Sequence, residues 1–190
     1  MIALIPARSG SRRIPSKNTK VLAGHPLLAY TIAAARASRI FIAIYVSSES
    51  IETLRIAKDY GALPMWRSPV MATDDSADIV WTRDLVSRLG VRPDTFAILR
   101  PTAPFRTAAT IQRAFQQFQA MADCGDSIRA VEPVAQHPGK MWELSGPGMP
   151  ITPLLRGTRS DGTPWHSAPT QTLPVFYAQN ACLEMGGTSN

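Results

Sequence analysis

A mostly parallel β-sheet with helices on both faces is the fold class this sequence predicts, and three observations predict it. Short, continuous apolar runs rich in branched and aromatic residues recur at residues 2–5 (IALI), 41–47 (FIAIYVS) and 95–99 (TFAIL). Such runs suit strands buried on both faces. Between them lie longer segments with apolar residues at helical spacing. The strand-helix alternation then demands crossover connections, which parallel strands need and hairpins do not.

The elements follow in chain order. Residues 2–5 form the first strand, and residues 7–20, polar and basic with Gly10 and Pro15, form a loop. Pro26 opens the alanine-rich helix PLLAYTIAAARAS, because proline suits the first turn of a helix. Residues 41–47 are the second strand. Residues 50–60 place Ile51, Leu54, Ile56 and Ala57 at mostly helical spacing, and Gly61 stops them. Ile79, Val80, Leu85, Val86 and Leu89 predict a helix over 76–89, capped by Asp74 or Asp75. Residues 95–99 are the third buried strand, 107–122 a helix started at Thr107, and 127–134 another strand. Beyond residue 135 proline and glycine become dense. Short strands are expected there near 140–144, 150–154 and 174–184, with 156–172 a mobile loop. Ligands of such sheets bind at the carboxyl ends of the strands, which singles out loops 6–20, 47–50 and 100–106.

Bulk properties narrow the class. The 190 residues suit one domain, and 45% hydrophobic with 18% charged is ordinary for a globular chain. No apolar run approaches the roughly 18–20 residues that span a bilayer. The N-terminal apolar stretch is about five residues, short of the roughly 7–15 of a secretory signal, so a cytoplasmic protein is expected. Cys124 and Cys182 show neither metal spacing nor a CxxC pair and read as reduced thiols. The formal charge of +6 attracts anions without naming them. The densest basic group is Arg8, Arg12, Arg13, Lys17 and Lys20. With no aromatic stacking pattern among the cations, a nucleic-acid partner is not expected.

The run PARSGSRRIPSKN, residues 6–18, is the first motif with chemistry in it. Small residues allow backbone N–H groups close to phosphate oxygens, and the cations neutralise charge. It lacks the GxxxxGK[ST] spacing of a Walker loop and is not GxGxxG. The residues alone therefore allow an anion-binding loop or a solvated basic loop.

The same run, read from Ile5 to Asn18, closely resembles the N-terminal signature of the acylneuraminate cytidylyltransferases, and Leu22-Ala23-Gly24-His25-Pro26-Leu27 supplies its continuation. Met65–Pro69 with Ala72–Ser76, Leu99–Thr107, His137-Pro138 with Lys140–Trp142, and Gln171 through Ala181 resemble further family segments in order and spacing. The resemblance spans nearly the whole chain. It implies a Rossmann-like nucleotide-diphospho-sugar transferase fold (GT-A-like), a three-layer sandwich. It implies a single cytidylyltransferase domain over residues 1–190, without the family's C-terminal segment. It also implies transfer of CMP from CTP to the anomeric hydroxyl of an acidic nine-carbon 2-keto sugar, with release of pyrophosphate, magnesium as cofactor, and a homodimer.

Position by position, the resemblance places Ala7, Arg8, Ser11, Lys17 and Asn18 in the CTP-binding loop, with Arg8 and Lys17 on the phosphates as the catalytic cations. Arg67, Ala72 and Ser76 fall around cytosine and ribose, and Arg100 stands where relatives often carry Gln. Gln171, Tyr177 and Asn180 fall in the sugar pocket. Packing for Tyr177, a surface ion pair for Arg67 and a helix start for Ser76 are the other readings of those residues. Thr170 stands where the resemblance expects an Arg, so the cation at the sugar carboxylate is either missing or supplied by Arg156 or Arg159. The acids that hold metal in relatives have no counterpart, since Glu184 is the only acid after Asp161. A catalytically impaired nucleotide-binding protein of the same fold is accordingly the alternative. No general base stands out, and His137 and His166 are expected to be structural or solvent-facing.

Overall fold

The central sheet holds six strands in the order β5-β4-β1-β6-β10-β7 in the computed structural model, which describes residues 1–11, 13–90, 92–121 and 125–188. Arg12 and Cys124, and the last two residues of the tail, lie outside the described residues. The chain divides into two units, Met1–Ala130 with Ala181–Asn190, and Val131–Asn180.

In the first unit, β1 (Ile2–Pro6) leads through a loop and the small hairpin of β2 (Val21–Leu22) and β3 (His25–Pro26) into α1 (Leu27–Ser38). Then come β4 (Ala43–Ser48), α2 (Ile51–Asp59), β5 (Leu63–Trp66), α3 (Asp78–Ser87), β6 (Thr95–Leu99) and α4 (Ala108–Ala120). Strands β5, β4, β1 and β6 are parallel. β7 (Ser127–Pro133) lies at the far edge, and β10 (Tyr177–Gly187) enters antiparallel beside β6, pairing Leu183 with Leu99 and Glu184 with Ile98.

β1 shows why its sequence is apolar throughout. Ala3 and Ile5 join Leu28, Ile32, Ala57, Ile111 and Met185 in one core, with helices α1, α2 and α4. Ile2 and Leu4, pointing the other way by the two-residue period, pack with Trp81 and Leu85 of α3 and Ile98. Both faces of the sheet are thus covered, which gives the three layers.

Most helix boundaries follow local chemistry. The Ser50 hydroxyl accepts from the Thr53 N–H, and that of Thr107 from the Thr110 N–H, so α2 and α4 start with side-chain caps. Gly61 adopts a φ of +84° after α2, a conformation that strains other residues. Pro26 sits at the N-cap position of α1, one residue earlier than expected. The expected cap of α3 is a correction: the helix begins at Asp78, its N-cap is Ala77, and neither Asp74 nor Asp75 caps it. Asp74 is drawn instead into a 2.6 Å ion pair with Arg8. β5 is a strand the residue pattern did not announce, since Leu63-Pro64-Met65-Trp66 carries a proline. It is an edge strand, where a missing N–H costs no ladder bond.

The second unit contains the antiparallel pair β8 (Trp142–Leu144) and β9 (Ile151–Pro153), and the stretch 156–172 folds against its own unit. Lys140 Nζ donates to the carbonyls of His166 (2.7 Å) and Ala168 (2.6 Å), and Arg159 donates to Thr172. His137 is buried; its Nδ1 accepts from the Gly139 N–H at 2.9 Å and its Nε2 lies 3.0 Å from the Pro174 carbonyl. That histidine is structural.

Candidate functional site

Three carboxyl-end loops of the first unit, after β1, β5 and β6, converge on a cavity of about 700 Å³, lined by Arg8, Ser11, Arg13, Lys17, Asn18, Arg67, Thr73 to Asp78, Trp81 and Arg100 among others. β1 delivers residues 7–20, β5 delivers Arg67, the turn before α3 delivers residues 73–77, and β6 delivers Arg100.

The basic loop is closed by Asn18, which is buried. Its Nδ2 donates to the Arg8 carbonyl at 2.8 Å, and its own carbonyl accepts from the Leu28 N–H at 2.9 Å. One residue, through its side chain on one side and its backbone carbonyl on the other, therefore ties the loop's start to the entry of α1. At Gly10 an added methyl group would meet no protein atom within 4 Å, so glycine there is not demanded by the fold. The Ser9 N–H and hydroxyl both donate to Glu49 Oε1 at 2.7 Å. That N–H is thus committed to a carboxylate, where the loop's sequence suggested a phosphate donor.

Cations are crowded together here. Burial first, and then the charges of Arg8 and Arg13, push the Lys17 pKa below its ordinary value. Arg67 is 3% exposed. It donates to the Ser47 carbonyl at 2.9 Å, and its guanidinium lies 5.3 Å from the centre of the Trp81 ring. Its Nε is buried with no partner in the protein. Burial pushes its pKa down, against the pull of Glu49 and Asp78. Arg67 is therefore no surface ion pair.

Arg100 and Asp78 of the lining belong to an acid-base network. Arg100 Nη2 lies 2.6 Å from Asp78 Oδ2 and 2.8 Å from Glu184 Oε1. The other oxygen of Asp78 accepts from Trp81 Nε1 at 2.8 Å. Burial opposes ionisation of Asp78, but hydrogen bonds from Arg100 and Trp81 and the nearby charges hold its pKa below the ordinary value. Buried Arg106 fixes the backbone beneath: it donates to the carbonyls of Arg100 and Cys182 and to the Thr31 hydroxyl.

Seven expected residues line this one cavity: Arg8, Ser11, Lys17, Asn18, Arg67, Ser76 and Arg100. Ser76 precedes the N-cap of α3 and does not start the helix. Ala7 is fully buried below the loop, its N–H bonded to the Ser47 carbonyl, and Ala72 ends a 3-10 turn between the lining residues Met71 and Thr73. Gln171, Tyr177 and Asn180 belong to the second unit, where all three are exposed. Tyr177, at 59% exposure, is not a core residue. Glu49, Asp78 and Trp81 were not read from the sequence. Loop 47–50 had pointed toward the first, and the three-residue spacing of Asp78 and Trp81 on one helix was the available signal for the others.

A polyanion-sized, cation-rich cavity at the carboxyl ends of a parallel sheet defines a nucleotide-binding α/β protein. Comparison with known proteins sharpens this. The family model described as Cytidylyltransferase matches residues 2–137. A CMP-N,N'-diacetyllegionaminic acid synthase of Legionella pneumophila is 38% identical over 192 aligned residues, covering 99% of this chain and 75% of that protein. An N-acylneuraminate cytidylyltransferase of Escherichia coli is also 38% identical, over 64% of this chain and 29% of its own length. Among solved structures, a CMP:2-keto-3-deoxy-manno-octonic acid synthetase complexed with CTP superposes with a TM-score of 0.69 at 11% identity, covering 98% of this chain and 73% of that one. The fold is shared with a 4-diphosphocytidyl-2C-methyl-D-erythritolsynthase from Anaerococcus prevotii as well, at a TM-score of 0.59 and 9% identity over 98% of this chain and 70% of that one. The chain belongs to the cytidylyltransferase family.

Proposed function

We propose that this protein transfers CMP from CTP to the anomeric hydroxyl of an acidic nine-carbon 2-keto sugar. The observation that carries the reading is the cluster of Arg8, Arg13 and Lys17 on one loop of the cavity, with buried Arg67 beside Trp81. In the reaction the hydroxyl oxygen bonds to the α-phosphorus, the bond to the β-phosphate oxygen breaks, pyrophosphate leaves and the hydroxyl proton passes to solvent. Arg8 and Lys17 hold the phosphates and neutralise charge as it shifts toward pyrophosphate, which is where such sites gain most of their rate. Arg67 and Ser76 face the nucleoside end. Ala7 and Ala72 contribute through backbone. Gln171, Tyr177 and Asn180 are the proposed sugar contacts. Arg159, which donates to Thr172 beside Gln171, is the candidate for the sugar carboxylate.

Among the described residues no group of three or more His, Cys, Asp or Glu is placed to hold a metal. Of the three aspartates that line the cavity, Asp74 is paired with Arg8 and Asp78 with Arg100, which leaves Asp75 as one carboxylate beside them. These residues do not form a cation cage of their own. Magnesium is therefore proposed only as the counter-ion of the triphosphate. Among the described residues no helix is long and apolar enough to cross a membrane, and a cytoplasmic enzyme remains the proposal.

The test is pyrophosphate release from CTP and magnesium, with N-acetylneuraminate, legionaminate and pseudaminate offered separately. Turnover with one of them is expected. CTP binding without turnover on any acid sugar would leave the impaired nucleotide-binding protein as the better reading. A homodimer is also proposed, on the large apolar side chains that the second unit exposes: Trp142, Leu144, Ile151, Leu154 and Val175. Light scattering should give twice the chain mass, and Leu144→Lys with Ile151→Lys should return the monomer. A monomeric wild type would remove this proposal.

A further inference from the structure

Asp78 joins two other residues of the cavity lining, Arg100 and Trp81. Oδ2 lies 2.6 Å from Arg100 Nη2, while Oδ1 accepts from Trp81 Nε1 at 2.8 Å, and Trp81 is the ring over which the Arg67 guanidinium lies. It stands at the first position of α3, where its charge also suits the helix N-terminus. Glu184, arriving on β10 from the other side, takes the same Nη2 at 2.8 Å and brings its second oxygen to 3.8 Å from Arg129 Nε. Among the described residues the side-chain contacts of Arg100 run through Nη2 alone, which leaves Nε and Nη1 for a ligand. A long, rotamer-rich arginine of the cavity lining is thus held by one nitrogen. Its charge is balanced by two carboxylates, so it suits a hydrogen-bond acceptor of a base or sugar better than a phosphate.

We propose that Asp78 is a positioning residue for nucleotide binding, orienting Arg100 through one carboxylate oxygen and Trp81, and with it Arg67, through the other. This rests on the reading of the cavity as a CTP site. Unlike Arg8 or Lys17, Asp78 is a negative group at an anion-binding cavity. Simple electrostatics would have its removal strengthen CTP binding, whereas positioning would have it weaken binding.

The experiment is calorimetric titration of the full chain with CTP, alongside steady-state kinetics. Asp78→Asn keeps an acceptor for Trp81 and loses the ion pair with Arg100. It should weaken CTP about tenfold, the loss expected for one charge-assisted bond. Asp78→Ala removes both contacts and should weaken CTP about threefold more, matched by Trp81→Phe alone. Adding Arg100→Gln to Asp78→Asn should cost no more than Arg100→Gln by itself, because the two act through one contact. Asp84→Asn, on the same helix but paired with Arg88, is the control for lost charge and should bind CTP as wild type does. Tighter or unchanged binding in Asp78→Asn, or losses that multiply in the double variant, would overturn the proposal. If Asp78→Asn melts early, Trp81→Phe and Glu184→Gln carry the same test, each expected to raise the Kd for CTP, and unchanged values in both would sink it. A wild type that does not bind CTP at all would instead refute the CTP site, and this inference with it.

Discussion

Lys17→Ala is expected to lower the rate of pyrophosphate release from CTP by about 10²–10³-fold, the usual consequence of deleting one fixed charge that meets a transferring phosphate. The structure supplies the reason. Lys17 is half-buried on the cavity wall, and burial, then Arg8 and Arg13, hold its pKa below the ordinary 10.5. Repulsion of this kind is relieved when a polyanion enters, so the site is more favourable with triphosphate than without it. The fold needs Lys17 far less, and the melting temperature should move little, corresponding to within about 0.5 kcal/mol. The pH dependence follows with a definite sign. A lysine whose pKa is lowered loses its charge below pH 10.5, so CTP affinity should fall as pH rises through the shifted value. Bound triphosphate favours the ammonium, and binding on the alkaline side should take up protons. Lys17→Arg stays charged and should flatten this limb. An alkaline fall of the same size in Lys17→Arg would assign it to another group.

The second large effect joins two opposite changes in one variant. Arg67 is buried with its Nε unpartnered, and the nearest acids, Glu49 and Asp78, act on it through charge alone. Its burial is a cost to the folded state. Arg67→Met fills similar volume without a charge and should be neutral or stabilising, by up to about 1–4 kcal/mol in denaturant unfolding. The same change removes a cation beside Trp81 and should weaken CTP about 10–100-fold. Stability gained and binding lost would mark Arg67 as a residue kept for its ligand. A loss of several kcal/mol would instead identify its bond to the Ser47 carbonyl as a structural brace.

Glu49 shows how partnership escapes a sequence reading. Nothing in the sequence Ser48-Glu49-Ser50 says that the carboxylate will reach 40 positions back to Ser9 and hold the basic loop by both its N–H and hydroxyl. The cap of α3 shows the same limit: an aspartate ahead of an amphipathic helix is a sound local expectation, but a free arginine across the cavity competes for it and wins.

What the sequence determined by itself was local and compositional. The continuous apolar run at residues 2–5 marked a strand buried on both faces. Thr107 marked the start of a helix, and the cations of residues 8–20 marked a basic loop, whether anion-binding or solvated. The order of the strands was decided by tertiary structure alone. β10 lies between β6 and β7 and runs antiparallel, which brings Glu184 against Arg100 from 84 positions away. Arg100 at that place was legible, whereas the two acids that hold it were not. Side-chain type and periodicity are properties of neighbours along the chain. A hydrogen bond to a charged group depends on which backbones are adjacent in space, and that is settled only when burial of both sheet faces selects one packing.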